Sequence, residues 1–198
     1  VCFGKVITAN SPASQGAHPA NWESVLWHEF CHVVTLELTH NKMPRWLSEG
    51  ISVYEERAAN RAWGQTMNPK YREMILSGGL TPVGRLSGAF LAPPTPSHLQ
   101  FAYFESSLVV EFLVEQHGFE TLRGVLQDLA KDVPINDALE SRTGKPIAEL
   151  EQSFEGFARE QAEGLAPDAD LDRDKLPKPQ AGDATQLSRW FDQHPNNF

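Results

Sequence analysis

Between Trp22 and Leu38 the apolar residues Trp22, Val25, Leu26, Phe30, Val33, Val34 and Leu36 recur mostly at three- and four-residue spacing, with no Gly or Pro among them. That period predicts an amphipathic helix, and Asn21 just before it is a suitable N-cap. After a turn through His40-Asn41-Lys42, Pro44 suits the first turn of a second helix carrying Trp46, Leu47, Ile51, Val53 and Tyr54. Gly118, Pro134 and Gly144-Lys145-Pro146 punctuate the later chain into predicted helices over 98–117, 119–131, 135–142 and 147–163. Residues 1–10 are β-branched and aromatic up to Asn10-Ser11-Pro12 and predict a strand. Residues 62–97, rich in Gly and Pro, read as an irregular segment rimming a cleft and carrying specificity. From 166 to 182 the chain turns to Asp, Pro and Lys, a linker composition, and 183–193, with Leu187, Trp190 and Phe191, predicts a short amphipathic helix. The expected organisation is therefore one domain over 1–165, followed by a linker and a terminal helix over 166–198.

Composition narrows the classes. The 198 residues are 40% hydrophobic and 22% charged, ordinary for one globular domain. No run approaches the length of a membrane span, and nothing resembles a signal peptide. Seventeen basic against 26 acidic residues give a net charge of −9 without a basic stripe, which argues against nucleic acid or an anionic membrane as partner. Cys2 and Cys31 make no disulfide framework. The first residue is Val rather than Met, so the chain is expected to be a fragment or a processed form, truncated at its N-terminus, and its compartment is left open. Asp168, Asp170 and Asp172 imitate the start of a calcium loop, but Arg173 and Pro179 stand where that loop needs Gly and Glu.

The chemistry lies inside the first predicted helix. His28-Glu29-Phe30-Cys31-His32 is an H-E-x-x-H sequence. On a helix the two histidines share one face and can bind a single Zn²⁺, while Glu29 can act as general base on a zinc-bound water. They stand beside Val25 and Leu36, where imidazoles without a hydrogen bond or metal would be costly to bury. Cys31 reads as a small buried hydrophobe.

A catalytic zinc takes three protein ligands and keeps one open position. Thr35 and Leu38 replace the Gly and His of a metzincin continuation, which excludes that class. Glu49, on the second helix, is the leading third donor; His40, Glu55 and Glu56 are weaker candidates, with Glu56 two turns on from Glu49 and placed to orient a ligating imidazole. Gly50 would let the second helix approach the first closely. An oxyanion formed on a peptide carbonyl needs a second donor, and the tyrosines are Tyr54, Tyr71 and Tyr103.

HEFCHVV followed by MPRWLSEGISVYEE resembles the gluzincin clan of zinc metallopeptidases, closest to bacterial peptidase MA-like domains that often accompany tetratricopeptide repeats. The resemblance covers about residues 1–165, strongly at 25–56 and loosely elsewhere. It implies an α+β, thermolysin-type domain with an N-terminal edge strand that pairs with extended substrate, an active-site helix, a glutamate helix and a mainly helical C-terminal part. It further implies zinc bound by His28, His32 and Glu49, catalysis by Glu29, and a peptide or protein substrate. Tyr103, in Phe101-Ala102-Tyr103-Phe104-Glu105-Ser106, holds a place similar to that of the clan's oxyanion tyrosine; His98 is an alternative donor. Aminopeptidases of the clan hold the substrate amine with acidic residues on or near the edge strand. Residues 1–10 contain none, which tilts the reading toward an endopeptidase, with an aminopeptidase or a silent zinc-binding interaction module as alternatives. His194-Pro195-Asn196-Asn197-Phe198 resembles the lead-in to a repeat in the parent chain, and an extracytoplasmic bacterial location is compatible with the reading.

Overall fold

Asn21 caps the first helix as its position predicts. Its Oδ1 accepts hydrogen bonds from the backbone N–H groups of Glu23 (3.1 Å) and Ser24 (3.3 Å), and α1 runs Trp22–Leu38. The computed structural model describes residues 2–3, 6–8 and 21–165; the predicted linker and terminal helix lie outside them. His40 and Asn41, both at positive φ, make the turn into α2 (Arg45–Ala59), with Pro44 at the cap position. Then come α3 (Pro69–Leu76), a 3-10 turn (Val83–Arg85), α4 (Gly88–Leu91), α5 (Pro96–His117), α6 (Phe119–Leu129), α7 (Ile135–Thr143) and α8 (Ile147–Gly164). Gly118, at φ 83°, closes α5.

The chain divides into two compact units, one of residues 1–66 and 80–157, the other of 67–79 and 158–198. In the first, α2 and α5 form the central pair, α1 lies against α2, and α6 lies against α5 and α7. Trp46, Leu47, Ile51 and Val53 of α2 and Phe101, Phe104, Leu108 and Phe112 of α5 are buried, and Phe112 meets Phe154 and Phe157 at 5.7 and 5.5 Å between ring centroids. In the second, the described elements are α3, capped by Asn68, and the end of α8.

Several expectations need correction. The described residues are mostly helical. Where a ten-residue edge strand was expected, the described residues form a two-stranded antiparallel sheet, β1 (Cys2–Phe3) and β2 (Val6–Ile7), pairing Cys2 with Ile7 and Phe3 with Val6 and resting on α1. The segment 62–97 contains α3 and the 3-10 turn, which Asn68-Pro69 and Pro82 start where Gly and Pro suggested only loop, and also the short α4. Gly50 does allow a close approach, but to α5: a Cβ there would stand 2.6 Å from the carbonyl oxygen of Ser106. On α1 the apolar stripe is largely exposed, with Trp22 at 54%, Phe30 at 52% and Leu38 at 56%, while the helix's buried residues are Cys31 and Thr35, outside that stripe.

Candidate metal centre

The helical period brings His28 and His32 together on α1, with ring centroids 4.7 Å apart and planes at 83°. Across from them α2 presents Glu49. Its Oε2 lies 3.3 Å from Nε2 of each histidine, and the two Nε2 atoms are 3.1 Å apart. Ligand bonds of about 2.0–2.1 Å in tetrahedral geometry place donor atoms about 3.3–3.4 Å from one another, so this triangle has the dimensions of one face of a zinc tetrahedron. Two imidazoles and one carboxylate also form a donor set used by catalytic zinc. Among the described residues, these three make the one group of His, Cys, Asp or Glu donors able to share an ion.

The far side of each ring is held too. His28 Nδ1 is 2.5 Å from Glu56 Oε1, and His32 Nδ1 is 2.8 Å from Ser48 Oγ and 3.3 Å from Ser52 Oγ. With the Nδ1 atoms engaged, both Nε2 atoms are turned toward Glu49. Glu56 therefore stands where its spacing from Glu49 predicts. Ser48 and Ser52 were missed. They follow α2's four-residue period beside Glu49, a signal visible only once the helix is known to face His32.

Charge in the cluster is organised by these contacts. Burial works against a charged His28, but hydrogen bonds to Glu49 and Glu56 outweigh it and raise the imidazole to about 9. Burial likewise works against a charged Glu49, yet hydrogen bonds from His28 and His32 hold it down to about 2.

A cavity of about 500 Å³ opens over the triangle, lined by His28, Glu29, His32, Leu36, Met43, Arg45, Ser48, Glu49 and Tyr103. Glu29 and Tyr103 are thus brought to the same space as the three donors. Arg45, absent from the sequence reading, donates from Nε to Glu49 Oε1 at 3.3 Å and from Nη2 to the Tyr103 hydroxyl at 3.2 Å. Its guanidinium carbon sits 5.2 Å from the Phe90 ring centroid, and Phe90 meets Tyr103 edge to face at 5.2 Å.

Other candidates lie elsewhere. His40 is exposed in the α1–α2 turn, His98 Nδ1 is 2.8 Å from Thr95 Oγ1 at the start of α5, and Tyr71 belongs to the second unit. Tyr54 is half-buried on α2 and does not line the cavity. Cys31 and Glu55 line a separate apolar groove; burial pushes the Cys31 thiol up to about 12, in keeping with a small buried hydrophobe. None of residues 62–97 lines the cavity, so the expected rim is supplied by α1, α2, Met43 and Tyr103 instead.

A helix-borne H-E-x-x-H whose histidines meet a carboxylate from the next helix, above an open cavity, has the make-up of a metallopeptidase-type domain. The chain belongs to the Peptidase MA superfamily, whose family model matches residues 4–160. Neither a curated protein nor a solved structure matches the chain.

Proposed function

We propose that this domain hydrolyses peptide bonds, as an endopeptidase, with zinc held by His28, His32 and Glu49. The observation that carries the reading is the donor triangle sharing one cavity with Glu29. Glu56 hydrogen-bonds His28, and Ser48 and Ser52 hydrogen-bond His32, each fixing ring orientation from behind. When bound, zinc supplies a Lewis acid and lowers the pKa of a water to about 7. Glu29 takes the proton from the attacking water and later delivers it to the leaving amine. Tyr103 oxygen already accepts from Arg45, which leaves its own hydrogen to donate to the developing oxyanion. The absence of Asp and Glu from residues 1–10 supports an endopeptidase over an enzyme that anchors a free amine.

The test uses purified, zinc-loaded protein and an unstructured protein substrate. Glu29→Gln is expected to keep its zinc while turnover falls by about 10²–10⁴-fold, the usual scale for a lost general base. Glu49→Ala is expected to lose zinc, whereas Glu55→Ala keeps it. Full zinc occupancy in the Glu49 variant, or unchanged turnover in the Glu29 variant, would remove the assigned role; zinc binding with no cleavage of any substrate would instead favour an interaction module.

A further inference from the structure

Among the described residues, Arg45 is the only Lys or Arg that lines the cavity. It occupies the first position of α2, and no acidic residue stands in that first turn. A cation there opposes the helix dipole, which its i,i+4 pair with Glu49 only partly offsets. The side chain is nonetheless held on three sides. Nε donates to Glu49, one N–H on Nη2 donates to Tyr103, and a face rests on Phe90. These contacts use the side-on edge of the guanidinium. The end-on pair of N–H groups, on Nη1 and Nη2, meets no acceptor among the described residues, and the side chain is 53% exposed. A planar guanidinium held along one edge, about half exposed and lining an open cavity, is suited to two-point binding of a carboxylate.

We propose that Arg45 forms a carboxylate subsite, so that this cleft selects peptides bearing a carboxylate, either a chain end or an acidic side chain, beside the cleaved bond. The idea rests on the peptidase reading. Distance sets the register: the guanidinium is separated from the donor triangle by the single carboxylate of Glu49, and an extended chain advances about 3.3–3.6 Å per residue. A carboxylate on Arg45 therefore belongs one or two residues from the reacting carbonyl. Arg45 both orients Glu49 from its inner edge and reads substrate with its outer one.

The experiment measures binding by calorimetry to zinc-loaded Glu29→Gln protein, which holds peptide without consuming it. The probes are acetyl-Leu-Ala-Ala as free acid, the same peptide as its C-terminal amide, and acetyl-Leu-Ala-Glu amide, with zinc content measured in every sample. At least one carboxylate-bearing peptide is expected to bind about tenfold or more tighter than the neutral amide, as for a charge-assisted hydrogen-bonded pair. That preference should vanish when Arg45→Gln is added and be partly kept by Arg45→Lys. Preference for the free acid alone identifies a chain end; preference for the glutamyl amide alone identifies an acidic side chain. Three equal affinities, no measurable binding, or a preference that survives Arg45→Gln because the carboxylate sits on the metal would each overturn the subsite. Continued cleavage by Glu29→Gln protein would instead sink the assigned general base, leaving an Arg45-dependent preference intact.

Discussion

Tyr103 and Glu105 stand two residues apart on α5 and meet opposite surroundings. Tyr103 is half-buried at the cavity wall, with Arg45 donating to its oxygen. Replacing it with Phe keeps the ring against Phe90 and deletes one donor, so kcat should fall by about 10²–10³-fold with little change in melting temperature. Equal kcat for the Phe variant, measured on the same substrate, would transfer oxyanion stabilisation to another group. Glu105 is 1% exposed; its Oε1 accepts from Thr81 N–H at 2.5 Å, and its Oε2 has no hydrogen-bond partner among the described residues. Burial pushes its carboxyl up to about 8 from 4.5, against the hydrogen bond from Thr81. The folded state then binds this proton more tightly than the unfolded chain. Its stabilising contribution is complete below about pH 4.5 and is lost as pH rises through about 8. Glu105→Gln imitates the neutral acid, so its stability relative to wild type should improve between pH 5 and pH 8, by on the order of a few kcal/mol. Urea unfolding of both proteins at each pH checks this; a difference that does not change with pH would rule it out.

At the scale of elements, α2 carries the site on one side and the core on another. Glu49 faces the histidines, and its neighbour Gly50 lies against the α5 backbone at Ser106. Gly50→Ala should cost about 1–3 kcal/mol or more from overpacking, despite better helix propensity. Gly156→Ala on α8, where an added Cβ meets nothing within 4 Å, should be neutral or stabilising by up to about 1 kcal/mol. Chemical denaturation of the pair gives the contrast, and a harmless Gly50→Ala would refute the close contact. Much of this architecture was legible. Apolar periodicity gave α1 to the residue, and Gly118 and Gly144 marked real ends of α5 and α7. The meeting of His28 with His32 was legible because helical spacing alone places them together. What faces what was not, since periodicity names an apolar side without naming its partner. Gly50 met α5 instead of α1, and Trp22 and Phe30 stayed exposed. The pairing of Cys2–Phe3 with Val6–Ile7 was not legible, since an apolar run does not say whether it continues or folds back on itself. Arg45 was invisible because its importance comes from Tyr103 and Phe90, more than forty residues away in sequence.

For the whole molecule, the proposed zinc would link metal binding to folding. A ligand that binds the native state and not the unfolded chain stabilises by about 4 kcal/mol at a thousand times its Kd. Chelation should therefore lower the melting temperature of zinc-loaded wild type by several degrees and leave Glu49→Ala nearly unmoved. Scanning calorimetry with and without chelator tests this, and an equal shift in both proteins would locate the effect away from the triad. No described helix is long and apolar enough to cross a membrane. Gly50 has a last consequence for how the site comes apart. Because the helix bearing the third donor is clasped backbone to backbone by the central helix of its unit, α2 cannot peel away to open the cluster without breaching the core. Loss of Glu49 from the cluster by movement of α2 and loss of the core thus become one cooperative event, and a signal from an ion bound at the proposed site would report on the hydrophobic interior behind α2.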